Sequence, residues 1–218
     1  MLKQTAYILV GPPGAGKGTQ SEFLVEELKL KVIQPGVFLR KEAKKDTEVG
    51  MLIEGLISHG AFVPDEFVDK RVYAALKKNS KDILFDGYPR TEAQAEKLAD
   101  YLNKHKIDTY FLEITLPEKL IVERINGRRS CTCGETYHIK YNKPKKHGLC
   151  DKCGQKLYIR TDSRKPVIRN RIKAYHNQTE PVIKYFKTHK VVKLKFVKIN
   201  GNQSIDKVHA DIMKAIKV

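Results

Sequence analysis

The sequence predicts an α/β fold, a parallel β-sheet flanked by helices on both faces. Three observations carry that prediction. Short apolar runs alternate with amphipathic stretches along most of the 218 residues, and strands separated by helices pair in parallel. A glycine-rich turn, Gly11-Pro12-Pro13-Gly14-Ala15-Gly16-Lys17-Gly18-Thr19, follows directly on the first apolar run. On open sheets of this kind the carboxyl ends of the strands form the working edge. Finally, an apolar fraction of 41% is ordinary for a globular chain of this length, enough for one sizeable core with small insertions.

Taken in order, residues 6–10 read as a buried strand and 16–28 as a helix. A short strand is expected at 31–33, then helices at 38–44, 48–58 and 65–77. A strand at 82–85 leads to a helix from about 91 to 103, and a strand at 110–114 to a helix from 118 to about 126. The last part reads as a helix from about 167 to 188, a strand within 191–199 and a helix over 204–217. Residues from about 127 to 165 break the pattern: they hold all four cysteines, many basic residues and little helical period. They read as a small inserted domain. A second, helical insertion is expected over 35–64.

The glycine-rich turn has a chemical reading. Glycines at both ends of a short turn let backbone N–H groups converge on one point, and Lys17 adds a full charge there. A helix starting at about Gly16 points its positive end at the same spot. Gly14, Ala15, Gly16, Lys17, Gly18 and Thr19 thus describe a socket for nucleoside triphosphate phosphates, and the fold becomes a P-loop NTPase-type sheet. The match is to G-x-x-x-x-G-K, but Gly18 stands where a Ser or Thr hydroxyl usually holds Mg²⁺. Asp86, ending the apolar run Ile83-Leu84-Phe85, is placed to hold that ion directly or through water. In the same turn Arg90 can grip a phosphate with two N–H groups.

Forty-two Lys and Arg against 25 Asp and Glu give a formal charge of +17, which favours anionic partners. Many of these charges are scattered lysines, such as Lys44-Lys45 and Lys77-Lys78, the pattern of a solvated surface. No run approaches the length of a bilayer span, so a soluble cytoplasmic protein is expected. Clustering of the cysteines between Cys131 and Cys153 points to a metal rather than a disulfide framework.

With these motifs in this order, the chain resembles the adenylate kinase family in its long form with a zinc-carrying lid. The resemblance covers essentially the full length. Beyond the two loops it rests on Leu39-Arg40, Val63-Pro64-Asp65-Glu66, Gln94, Gly127-Arg128-Arg129, Cys133-Gly134 with Tyr137-His138, Cys150-Asp151-Lys152-Cys153-Gly154, Leu157-Tyr158 with Arg160, and Gln178-Thr179 with Pro181. It implies Mg²⁺-dependent conversion of ATP and AMP to two ADP. It also implies a core of residues 1–34, 65–126 and 166–218, a nucleoside-monophosphate-binding insertion at 35–64 and a lid at 127–165.

Site roles follow from the same resemblance. Gly14 to Thr19, with Arg124 and Arg128, would bind ATP, Arg124 lying beside the base. Gly36, Arg40, Val63, Gly87, Arg90, Gln94, Arg160 and Arg171 would bind AMP, with Arg40 and Arg90 on its phosphate and Gln94 on its base. Lys17, Arg90, Arg128, Arg160 and Arg171 would act on the transferring group, and Asp86 would hold Mg²⁺ through water. Cys131, Cys133, Cys150 and Cys153 would bind structural Zn²⁺. The resemblance further implies a monomer with no membrane or specific nucleic-acid partner.

Three departures from the family pattern stand out. Pro35 and Val37 replace a threonine and an aspartate, so looser base discrimination and weaker AMP binding are expected. Cys131-Thr132-Cys133 is one residue short of C-x-x-C, which strains chelation; free thiols, or His138 in place of Cys131, are the alternatives. Asp162-Ser163 replaces a double aspartate and precedes Arg164-Lys165, so lid contacts are expected to differ. Competing functions are a kinase of GMP or of UMP and CMP, a basic zinc-ribbon nucleic-acid module, and a nucleotide binder without turnover.

Overall fold

The structure is a computed structural model that describes residues 4–77, 81–189 and 191–216. Lys78, and Lys217 at the end of the expected last helix, lie outside the described residues.

Five parallel strands form the central sheet: β1 (Thr5–Val10), β2 (Lys31–Ile33), β3 (Ile83–Asp86), β4 (Asp108–Thr115) and β7 (Leu194–Asn200), in the order β2-β3-β1-β4-β7. The pleat sends alternate residues to opposite faces, and both faces are covered. Ala6, Ile8, Val10, Phe85 and Phe111 pack on one side with α4 (Asp65–Lys77), α5 (Glu92–Lys104) and α8 (Glu180–Thr188). Tyr7, Leu9, Leu84, Leu112 and Ile114 face α1 (Lys17–Leu28), α6 (Glu118–Asn126), α7 (Lys165–Ala174) and α9 (Ile205–Ile216). A sheet buried on both faces has no polar alternation, which is why these strands read as continuous apolar runs.

Between β2 and α4 lie α2 (Pro35–Glu42) and α3 (Glu48–Ser58). The sequence expectation started α2 at 38; the helix begins three residues earlier. Pro35 occupies the first turn, where a missing N–H is not needed and the fixed φ already suits a helix. Residues 127–165 carry a two-stranded antiparallel ladder, β5 (Arg128–Ser130) with β6 (Thr136–His138), extended by a Ser130–Tyr158 bridge.

One further expectation is corrected. The helix expected over 167–188 is α7 and α8 joined by a π-helical turn, Tyr175–Thr179. Pro181 has no N–H with which to continue the α-pattern, and the wider turn seats the Thr179 hydroxyl 3.2 Å from the Arg90 carbonyl. The strand expected within 191–199 is Leu194–Asn200, and Lys193 just before it takes a left-handed conformation (φ 55°).

Candidate active site

The loop after β1 is shaped by close approach and by handedness. A Cβ on Gly11 would stand 2.3 Å from the Ile114 carbonyl oxygen of β4, so only glycine lets the loop start there. Gly14 and Gly16 have φ of 82° and 91°, a region other L-residues rarely adopt. The loop wraps back over Lys17, whose Nζ donates to the carbonyls of Gly11 (2.6 Å) and Pro12 (3.0 Å). Burial lowers the Lys17 pKa to about 7; Asp86 opposes that shift, while Arg90, Arg171 and Arg128 add to it.

Strand register delivers Asp86 to the same place. Leu9 pairs with Asp86 across β1 and β3, so this carboxylate ends its strand beside the glycine-rich loop. Asp86 is buried and accepts a hydrogen bond from the Gln34 amide. Burial raises its pKa against the pull of Lys17, Gln34, Arg90 and Arg40. A buried carboxylate among cations suits a divalent ion and its water shell.

Guanidinium groups converge on the adjoining cleft from four parts of the chain. Arg40 comes from α2, Arg90 from the turn after β3, Arg160 from the end of the 127–165 segment and Arg171 from α7; all four line it together with Lys17, Gly36, Val63, Gly87 and Gln94. Gly87 (φ 72°) accepts from Arg90 Nε through its carbonyl at 2.9 Å, which anchors that side chain. Arg90 also lies over the Phe62 ring, 5.3 Å from its centroid. Arg128 joins the group through Asp162 rather than through the cleft wall. Burial lowers the pKa of Arg40 and of Arg171 to about 10, and that of Arg128 well below its ordinary value. For Arg40 and Arg128, Arg160 is the first neighbouring charge to add to the shift.

Asp162 holds this positive nest together. Its carboxylate pairs with Arg128 (3.2 Å), Arg171 (3.0 Å) and Arg160, and its main-chain oxygen accepts from Arg171 at 2.9 Å. Burial opposes ionisation of Asp162, yet Arg171, Arg160 and Arg128 hold its pKa well below the carboxylate range. Ser163, the departure from a double aspartate, is buried, and its hydroxyl accepts from Arg128 at 2.6 Å. The Nε atoms of Arg128 and Arg160 are buried and find no acceptor among the described residues. A ligand with several anionic oxygens would supply what they lack.

Other expected residues sit elsewhere. Arg124 is not on the cleft wall; it donates to the Gly201 carbonyl (2.9 Å) and lies 5.4 Å from the Tyr141 ring centroid. Gly14, Ala15, Gly16, Gly18 and Thr19 stay with the loop and the start of α1. Arg129 donates to the carbonyls of Asn126 and Arg128. Sequence reasoning assigned no role to Gln34, Thr91 or Asp65. The flagged string from Val63 to Glu66 contained Asp65 without showing that it reaches Gln94.

The four cysteine sulfurs lie within 4.8 Å of one another. Cys131 and Cys153 are 3.3 Å apart at Sγ, Cys133 and Cys150 3.6 Å. A zinc tetrathiolate with Zn–S near 2.3 Å has edges of about 3.8 Å, so the donor set fits that ion despite the short C-x-C spacing. His138 is engaged elsewhere: its Nδ1 accepts from the N–H groups of Lys140 and Tyr141, and its Nε2 packs where a Cβ on Gly127 would fall. Tyr137 supports the cluster, its hydroxyl lying 3.5 Å from Cys150 Sγ and accepting from the Asp151 N–H at 2.8 Å.

A phosphate loop closing the first strand of a parallel sheet, faced by this much guanidinium, defines a nucleotide phosphotransferase of the P-loop class. Comparison with known proteins narrows the class. The sequence model of the family described as Adenylate kinase matches residues 9–191. The chain is 39% identical over 216 residues to the adenylate kinase of Methanocella arvoryzae, covering 97% of this chain and 98% of that one. It is 39% identical to the adenylate kinase of Thermococcus gammatolerans (96% and 91% covered) and 40% identical to that of Thermoanaerobacter pseudethanolicus (96% of each). The chain belongs to the adenylate kinase family, and is thus a nucleoside monophosphate kinase.

Proposed function

We propose that this chain transfers the γ-phosphoryl group of Mg·ATP reversibly to AMP, giving two ADP and serving adenine-nucleotide homeostasis. The observation that carries the reading is the convergence of Lys17, Arg40, Arg90, Arg160 and Arg171 on one cleft, with Arg128 tied to it by Asp162. Two polyanions must meet for this reaction, and the work of the protein is positioning and cationic stabilisation.

In this reading the loop N–H groups of Gly14 to Thr19 and Lys17 hold the ATP phosphates, and Arg124 flanks the ATP base. Arg40 and Arg90 hold the AMP phosphate. Arg128, Arg160 and Arg171 exchange Asp162 for the transferring group, their planar forks matching its oxygens. Gly36, Val63 and Gln94 face the AMP base. Asp86 would hold Mg²⁺ through water, and the ion would supply positive charge to offset that of the phosphates. The four cysteines hold a structural Zn²⁺, which folds a segment with little core of its own. We further read residues 127–165 as a lid and 35–64 as the AMP-binding part, moving against the remaining core to exclude water. No helix among the described residues is long and apolar enough to cross a membrane, and we place the enzyme in the cytoplasm as a monomer.

The test is a set of initial rates of diphosphate formation from Mg·ATP with AMP, GMP, CMP and UMP in parallel. AMP is expected to lead, by a margin narrowed by Pro35, which offers neither a hydroxyl nor an N–H. Similar rates with all four acceptors would overturn the AMP assignment, and no rate with any would leave a nucleotide-binding protein.

A further inference from the structure

Gln94 lines the cleft together with the apolar residues Leu39, Ile57, Val63 and Val68. It is buried, and both ends of its amide are already engaged. Nε2 donates to Asp65 Oδ1 at 2.7 Å, and Oε1 accepts from the Arg90 N–H at 2.8 Å. These partners leave no ambiguity of orientation: a carboxylate oxygen accepts, and a backbone N–H donates. Rotating the amide by half a turn would set N–H against N–H and oxygen against oxygen.

Asp65 is itself fixed. It opens α4, and its other oxygen, Oδ2, accepts from the Thr91 hydroxyl at 2.5 Å. The same hydroxyl accepts from the Gln94 N–H at 3.2 Å as the cap of α5. Asp65, Thr91 and Gln94 therefore form a closed ring of hydrogen bonds around one amide.

Orientation matters because of what remains. A held glutamine has one free N–H and one free lone pair. The Watson–Crick edge of adenine offers an acceptor, N1, and a donor, the 6-amino group. Guanine offers the reverse order, an acceptor at O6 and a donor at N1. A freely turning glutamine amide can match either base, whereas a locked one matches a single order and meets the other with unpaired or opposed groups. Pro35 carries no hydroxyl or N–H with which to share this task.

We infer that Asp65 is a specificity-determining positioning residue: it locks the Gln94 amide in the orientation that reads adenine, so that discrimination against guanine depends on a side chain acting through Gln94. This rests on the reading of AMP as acceptor and deepens it.

The experiment compares kcat/KM for AMP and GMP, at saturating Mg·ATP, in the wild type and in Asp65→Ala, Asp65→Asn and Thr91→Val. The AMP-to-GMP ratio is expected to fall about tenfold or more in Asp65→Ala, the weight of a lost hydrogen bond to a charged acceptor. Asp65→Asn is expected to keep most of the ratio, since its Oδ1 still accepts from Gln94. Thr91→Val loosens Asp65 and should lower the ratio by a smaller factor; it also answers the question if Asp65→Ala does not fold. A merely structural role lowers both rates together and leaves the ratio alone. Ratios within twofold of wild type in both Asp65→Ala and Thr91→Val overturn the inference, as does an Asp65→Asn ratio as low as that of Asp65→Ala. A wild type without preference for AMP overturns the acceptor reading itself, a separate and recognisable failure.

Discussion

The sheet with its helices and the 127–165 segment are held by different physics. Around the sheet, two apolar clusters bury side chains such as Phe85, Phe111, Leu98, Leu24 and Ile212 almost completely. In the 127–165 segment the corresponding cluster is Cys131, Tyr137 and Cys150, with Leu157 beside them. A strand pair with three residues per strand cannot stand on so little burial. The first region is stabilised by burial of apolar area; on the proposed reading, the second depends on a zinc ion held by the four sulfurs gathered at one point. Region by region, then, the same chain should respond to opposite treatments.

The largest expected effect separates them most sharply. Stripping metal with a chelator, or Cys150→Ala, should unfold residues 127–165 and leave the sheet intact, since structural zinc contributes about 10 kcal/mol or more to folds of this kind. Limited proteolysis should then cut within this segment while far-ultraviolet circular dichroism changes little. Activity should drop at least about a hundredfold, because Arg128 and Arg160 leave the site. An unchanged digestion pattern would break the comparison. Next comes a cut into the sheet core: Phe111→Ala removes a ring packed 4.9 Å from Phe186 and 5.0 Å from Phe196. It should cost about 4 kcal/mol in denaturant unfolding, with zinc content preserved.

Asp162 joins the two regions, and its effect should be intermediate. Asp162→Asn leaves three guanidinium groups without their carboxylate and should cost about 3 kcal/mol near neutral pH. The sign of the pH dependence follows from the depressed pKa. Stability from Asp162 is fully present above its ordinary value of 3.8 and is lost as pH falls below that value. Thermal melts of the wild type should therefore fall more steeply below pH 4 than those of Asp162→Asn; parallel acid limbs would count against the hub.

The smallest effect is a proton. Lys17 has a pKa lowered to about 7 before a ligand arrives, and phosphates favour its charged form. Nucleotide binding at pH 8 should take up protons, seen calorimetrically as a binding heat that differs between Tris and HEPES buffers. Lys17→Met should remove most of that difference.

Local chemistry made much of this legible in advance. The glycine-rich turn, the carboxylate ending β3 and the paired cysteines are short-range patterns, and helix and strand periods placed most elements within a few residues. A π turn before Pro181 interrupts the continuous helix that the period predicts, and it seats Thr179 against Arg90, 89 residues away. The start of α2, three residues before the predicted 38, has a local reason: Pro35 suits a first helical turn.

Sequence alone determined the alternating α/β pattern, the phosphate loop and the composition of the arginine set, because each is written in neighbouring residues. Tertiary structure alone decided that three of those arginines share Asp162, that the shortened C-x-C pair still reaches the other two cysteines, and that Asp65 meets Gln94 from a different helix. These pairings span 22 residues or fewer among the cysteines, 29 between Asp65 and Gln94, and up to 34 between Arg128 and Asp162. No local periodicity records which side chains the parallel sheet brings to its carboxyl edge; the crossover of each strand and the packing of each helix settle it.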